Sequence, residues 1–383
     1  MPNFMQPIPL SLFTLAPLVI VMSGCSTTQP KNSIATLTSS HQMIYPSIDS
    51  GLSESLYPHE QEIAEEISDV IEQSIRQQYA SGNARRDAHP KAHGCVRAEF
   101  HVLESLPKQL VQGVFIPGQT YQAWIRFSNG SPDATNADIK RDARGMAIKI
   151  LGVSGKKLLE DEANATTQDF IMINHPVFFA NDPSRYLSLM QDLNSESFLK
   201  KLHLPFALGA KGSSIALSFR TRISNPLQAR YWSMVPYQLG IGPDRQAVKY
   251  SVRSCSATTT SIPKNPSHDF LRDALRESLQ KGDACMEFLV QPRTSSKMAV
   301  EDSMTEWKET QAPFYPVAMI RIPQQVFDTP DQNKFCENLS FTPWHALPEH
   351  RPLGAVNRLR KVIYDRISRV RHEMNSAKRQ EPQ

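Results

Sequence analysis

Val96-Arg97-Ala98-Glu99-Phe100-His101-Val102 alternates apolar and polar residues, the pattern of a strand with one buried face. Outward from it, Tyr121-Gln122-Ala123-Trp124-Ile125-Arg126-Phe127-Ser128 sets an arginine in an otherwise apolar run. Met146 to Leu151 and Phe170 to Ile173 read as further strands, and residues 181–232 as mainly helical and irregular. Strand-like runs resume at Val248 to Val252, Met286 to Val290 and Pro316 to Ile322. Before them, Glu60 to Tyr79 is a helix with Ile63, Ile67, Val70, Ile71 and Ile75 on one stripe. A second helix follows Gly354, with Leu359, Val362, Ile363, Ile367, Val370 and Met374 at helical spacing. Seven or eight strands flanked by helices predict an α+β fold on a closed antiparallel barrel of about eight strands. No internal repeat is evident.

The chain has 383 residues, 40% of them hydrophobic and 21% charged, which excludes a disordered chain and leaves room for one large domain. Its net charge of +4 is mild. Much of that charge lies on the last helix, at Arg358, Arg360, Lys361, Arg366, Arg369 and Arg371. No nucleic-acid motif accompanies this run. It reads as a solvated face with one or two arginines turned inward, and no nucleic-acid partner is expected.

Pro9 to Met22 is an apolar run too short for a comfortable membrane span. It ends in Met22-Ser23-Gly24-Cys25, which resembles a bacterial lipoprotein signal. The expected organisation is a signal peptide over 1–24, a Ser/Thr/Pro/Asn-rich flexible tether over 25–55 and a folded domain over 56–383. Lipidation of Cys25 would anchor the chain to a membrane. Ser26 is not an inner-membrane retention residue, so the periplasmic face of the outer membrane is the expected address. Cys95, Cys255, Cys285 and Cys336 show no zinc spacing, and they allow three full disulfide pairings in a periplasmic protein.

Arg360 and Tyr364 are four residues apart on the last helix and therefore share a face. A guanidinium beside a phenol favours the phenolate, as a ferric ion would. The pair suits a tyrosine-ligated haem iron, the ligation that catalases use. Taken alone, it is also a common helical contact.

Three further elements occur upstream. Arg86-Asp87-Ala88-His89-Pro90-Lys91 precedes the first strand, Arg126-Phe127-Ser128 ends the second, and Asn174-His175-Pro176-Val177-Phe178-Phe179 ends the fourth. Singly they read as a loop histidine, a strand arginine and a turn. Together, and in this order, they resemble the haem catalase family, in particular its small members that lack the extra domain of large catalases. The resemblance runs from about residue 80 to 375. It implies a catalase-like barrel carrying haem b with ferric iron, Tyr364 as metal ligand and Arg360 beside it. His89 would be the distal base, Ser128 would orient it, and Asn174 would orient peroxide. Arg86, Arg126 and Arg371 would contact haem or its propionates, and Phe179 and Tyr186 would line it. Arg-Gly-Met-Ala-Ile-Lys at 144–149 also looks like the family's barrel strand.

The sequence departs from that pattern at named positions. Ile173 occupies the place of the family's usual distal amide, so Asn174 serves only if the strand end shifts. His93 competes with His89, which is preferred because Arg86 lies three residues before it. Large catalases have a C-terminal helical region for which only 19 residues remain after Tyr364, and an NADPH site is not expected. The resemblance implies a catalase or peroxidase acting on hydrogen peroxide, which the lipoprotein-like signal would place in the periplasm. Its rivals are an organic or fatty-acid hydroperoxide isomerase on the same haem framework, which the Pro343-Trp344 and Arg351-Pro352-Leu353-Gly354 segment also resembles, and a non-enzymatic haem-binding lipoprotein. The sequence sets no oligomeric state.

Overall fold

The computed structural model describes residues 43–195 and 197–382. The expected signal peptide, Cys25 and most of the expected tether lie outside the described residues. Among the described residues, no helix is long and apolar enough to cross a membrane.

The strands are β1 (Ala92–Val102), β2 (Thr120–Asn129), β3 (Arg144–Leu151), β4 (Thr167–Ile173), β5 (Tyr231–Trp232), β6 (Tyr237–Leu239), β7 (Gln246–Ser254), β8 (Ala284–Pro292) and β9 (Tyr315–Ile322). They hydrogen-bond in the order β5-β4-β3-β2-β1-β9-β8-β7-β6, and β5 also pairs with β7. That last contact, Tyr231 with Val252 and Trp232 with Ser251, closes eight antiparallel strands into a ring. β6 lies along β7 beside β5, outside the ring. Closure leaves no free edge in the ring, which removes the unpaired backbone groups of an open sheet.

The inner faces follow the alternation of the sequence. Val96, Ala98, Phe100 and Val102 are buried, whereas Arg97 between them is exposed. Phe100, Phe170, Tyr250 and Phe288 fill the barrel, with Phe170 and Phe288 ring centroids 4.8 Å apart at 62° and Phe100 and Phe288 5.2 Å apart at 69°. Edge-on aromatic pairs of this kind add about 0.5–1.5 kcal/mol each beyond their burial. The barrel is a packed core and not a pore.

The helices are α1 (Glu60–Gln78), α2 (Pro183–Leu193), α3 (Phe198–Ser218), α4 (Phe270–Lys281), α5 (Pro330–Asn338) and α6 (Ala355–Met374). Ile63, Ile67, Ile71 and Ile75 of α1 pack against Leu359, Ile363, Ile367 and Val370 of α6, forming a second core. Each such aliphatic side chain contributes roughly 1.5–3 kcal/mol by leaving water.

Three readings of the sequence need correction, and one left open is decided. β5 falls inside a stretch expected to be helical and irregular, and two residues are too short to show a period. Residues 43–55 are not a flexible tether, because Leu52 and Glu54 are buried against the domain. Glu54 holds Arg351 at 2.6 Å and Arg358 at 2.8 Å, so the folded unit begins well before residue 56. The basic run of α6 is not a solvated face: Arg358, Arg360, Lys361 and Arg371 are all buried. Arg358, fully enclosed, is neutralised by Glu54, Glu60 and Glu301 at 2.6–3.0 Å. The cysteines, left open by the sequence, pair as Cys95–Cys336 and Cys255–Cys285.

Candidate active site

The barrel's register builds one wall of the site. Ser128 of β2 stands opposite Gly145 of β3, and Gly145 stands opposite Ile173 of β4. Residues directly opposite in antiparallel strands point to the same side, so these three positions share one face. His89 packs onto this row from the loop before β1, with a left-handed backbone at φ 60° that few non-glycine residues adopt. Its Nδ1 lies 3.0 Å from Ser128 Oγ. A Cβ on Gly145 would fall 2.5 Å from His89 Nδ1 and 2.7 Å from Ser128 Oγ, so the imidazole fits only because residue 145 is glycine.

Burial first, and then the charges of Arg126 and Arg360, push His89 down to about 4. Its imidazole is therefore neutral at ordinary pH. His93, the rival, is 1% exposed on β1 with Nε2 2.9 Å from Asn129 Oδ1 and Nδ1 3.6 Å from Asp138. It belongs to a buried polar network that also includes Arg144, whose guanidinium bonds Asn129.

The other wall is α6. Arg360 Nη2 donates to Tyr364 Oη at 3.1 Å, and Nη1 donates to Asn357 Oδ1 at 3.1 Å. Burial opposes the charge on Arg360, but Tyr364 and Tyr237 outweigh it and hold the guanidinium above its ordinary value. Tyr186 and Tyr364 both pack against the α1–α6 core. Phe179 joins them through ring contacts, 4.3 Å to Phe178 and 6.2 Å to Tyr186.

At the third side, Arg86, Arg126 and Arg371 gather around Glu337 of α5. Arg86 Nη1 forks onto both Glu337 carboxylate oxygens at 2.7 and 2.8 Å. Arg126 donates to His89 O at 2.8 Å, and its buried Nε has no partner. Arg371 donates to the backbone carbonyls of Glu337 and Leu339. Burial, followed by the charge of Arg86, pushes both Arg126 and Arg371 down to about 9. Burial raises the Glu337 carboxyl, but the three arginines outweigh it and hold it near 2. Three cations thus face one carboxylate.

The charges of Arg126, Arg360 and Arg86 all act on His89, and those of Tyr364 and Arg360 on Tyr186, so these expected residues lie near one another. The structure does not bring Asn174 to the Ser128–Gly145–Ile173 face. The Asn174 amide accepts from Arg144 N at 2.6 Å and donates to Thr221 Oγ1 at 2.7 Å. Ile173 presents an apolar side chain there instead. Glu337 and Gly145 were missed in the sequence. The 144–149 segment did place Gly145 on a barrel strand, but Glu337 lies on a short helix with no strong period.

These residues fit a haem. Tyr364 offers a hard oxygen ligand with a guanidinium beside it, and the under-neutralised arginines, with the unpartnered Arg126 Nε, call for further carboxylates such as two propionates.

The family model described as catalase matches residues 71–200. No curated protein matches the chain at a significant level. Among solved structures, a fungal catalase superposes with a TM-score of 0.60 at 18% identity, covering 79% of this chain and 63% of that one. Catalase A from Saccharomyces cerevisiae gives 0.59 at 19% identity over 80% of this chain and 66% of that one. A bacterial catalase gives 0.55 at 16% identity over 88% and 66%. The chain thus spans a little under two thirds of the length of these catalases. The fold is the catalase fold, a closed antiparallel barrel with flanking helices. The catalase model thus covers about a third of the chain, and the solved catalases share its fold.

Proposed function

We propose that this chain is a haem-dependent, peroxide-decomposing oxidoreductase. The observation that carries the reading is the pair of contacts, His89 Nδ1 with Ser128 Oγ at 3.0 Å and Arg360 Nη2 with Tyr364 Oη at 3.1 Å, with the Arg360 charge acting on His89. Haem b, when bound, supplies the iron redox chemistry that cleaves an O–O bond. Tyr364 would hold the iron, and Arg86, Arg126 and Arg371 would hold the propionates.

The chain's own residues handle protons and position. Ser128 engages His89 Nδ1, which leaves Nε2 as the ring nitrogen facing the substrate. A neutral imidazole there would accept a proton from one peroxide oxygen and donate it to the other. Arg360 donates to Tyr364 Oη at 3.1 Å and fixes the direction of the phenol oxygen. Replacing Tyr364 with Phe tests the assignment, since loss of haem or a changed Soret band is expected. An unchanged spectrum would sink it.

One observation favours an organic hydroperoxide over hydrogen peroxide as the substrate. Ile173 lies in the Ser128 row where the resemblance called for an amide, and Asn174 is committed elsewhere. An apolar wall there suits a substrate with a carbon substituent. Comparing turnover of the two peroxides decides between them.

We further propose that the chain is tethered in the periplasm through Cys25. Support comes from the Met22-Ser23-Gly24-Cys25 pattern and from the two disulfides, which suit an oxidising compartment. Replacing Cys25 with Ala should release the protein from membranes.

A further inference from the structure

α6 carries Tyr364, yet the helix starts without a cap of its own. Its N-cap is Gly354, which has no side chain and a backbone at φ 84° that favours glycine. No side chain can be added there, because a Cβ would fall 2.7 Å from the Val300 carbonyl oxygen. The first amides of a helix must then find acceptors elsewhere. Glu54 Oε1 accepts from Gly354 N at 2.8 Å, and Glu301 Oε2 accepts from Ala355 N at 2.7 Å. Both acceptors are carboxylates, the charge that suits a helix N-terminus.

The same two carboxylates hold Arg358, one turn further along. Arg358 donates to Glu54 at 2.8 Å and to Glu301 at 3.0 Å, and it forks onto Glu60 of α1 at 2.6 and 2.9 Å. The guanidinium is fully buried, so loss of one partner leaves charge uncompensated inside the protein. Residues 44–55 deliver these contacts as one strap. Lys361 Nζ donates to Ile44 O at 2.8 Å, Tyr45 Oη donates to Glu60 Oε1 at 2.6 Å, and Arg351 Nη1 donates to Ser47 O at 3.1 Å. Ser55 ends it, with its N donating to Glu301 Oε1 and its carbonyl accepting from Arg358, both at 2.9 Å. Gly354, Arg358 and Lys361 follow helical spacing on one face of α6, and Asn357, Arg360 and Tyr364 do so on the next.

We propose that this strap positions the ligating face of α6, with Glu54 as a positioning residue that acts through the helix on Tyr364. The inference rests on the haem reading above. Tyr364 lies less than two turns beyond Arg358, so a displaced first turn is carried along the helix to the phenol.

Spectra of the full chain loaded with haem test this. Glu54→Ala removes the acceptor for Gly354 N and one partner of Arg358, whereas Glu54→Gln keeps an acceptor without the charge. Haem affinity is expected to fall at least ten-fold in Glu54→Ala and by less in Glu54→Gln. The Soret band and the ferric electron paramagnetic resonance signal of Glu54→Ala should also change well below its melting temperature. A loss of stability alone leaves both spectra of the folded protein as they are. Hydrogen exchange of the haem-free protein gives a second arm, in which amides of the first turn of α6 should exchange at least ten-fold faster in Glu54→Ala while those of β2 and β3 do not. Unaltered spectra and affinity in both folded variants, or unaltered exchange in α6, overturn the proposal. An unaltered protein that takes up no haem overturns the haem reading and this inference together, so the two failures are distinguishable.

Discussion

Arg360 Nη2 and Tyr364 Oη lie 3.1 Å apart across one turn of α6, with the guanidinium carbon 4.9 Å from the tyrosine ring centroid. The guanidinium is held from behind by Asn357, whose backbone carbonyl in turn accepts from Trp344 Nε1 at 2.6 Å. The arginine is therefore fixed before any iron arrives. Arg360→Met should weaken haem retention on the order of ten-fold or more, the worth of a charged hydrogen bond. Haem titration followed in the Soret region measures it, and unaltered retention would show that the pair is only a helical contact.

His89 and His93 should separate by kind of effect. His89→Ala is expected to lower peroxide turnover by roughly 10²–10⁴-fold, the usual worth of a positioned proton carrier. Ser128→Ala should lower it less, because the imidazole remains but its orientation loosens. His93→Ala should mainly lower the melting temperature, because it opens a cavity in the buried network and removes the contact to Asn129 Oδ1. Steady-state kinetics beside thermal melts distinguish them.

Ile173→Asn would place an amide in the Ser128 row. Turnover of hydrogen peroxide relative to an organic hydroperoxide should rise by about ten-fold, as expected of one added hydrogen bond to the reacting oxygen. A fall in both activities together would mean that Ile173 only packs.

Acid should destabilise the protein over a defined window. Burial holds His93 near 3, His345 near 4 and His350 near 3, all below the ordinary 6.5. Between 6.5 and these values the unfolded chain binds more protons than the folded one. Stability therefore falls as pH drops, by roughly 1.4 kcal/mol per pH unit for each such histidine. Glu337, held near 2 against its ordinary 4.5, adds loss as pH falls from 4.5 toward 2. Denaturant melts from pH 7 to pH 4 should show a steady decline, and a flat profile would contradict it.

Cys95–Cys336 ties α5 to β1 immediately before Glu337, the carboxylate of the arginine cluster. Removing it with Cys336→Ser should cost about 2–5 kcal/mol. It should also weaken haem retention if α5 positions Glu337 and the Cys336 and Leu339 carbonyls that hold Arg86. Melts with and without haem separate the two effects.

Local geometry explains what was legible in the chain. Alternation along Val96 to Val102 and the neighbouring runs, together with the stripes of α1 and α6, depends only on strand and helix periods. The sequence by itself therefore determined a barrel with flanking helices. The Arg360–Tyr364 contact was legible for the same reason, since a spacing of four on a helix is a fixed distance. Long-range register decided the rest. Only the folded chain shows β5 closing the ring, Ser128 choosing His89 over His93, and Ile173 rather than Asn174 facing the site. It alone brings Glu337 among three arginines and pairs four cysteines in one of three ways. Those relations join residues up to hundreds of positions apart, and no local period encodes which of them meet.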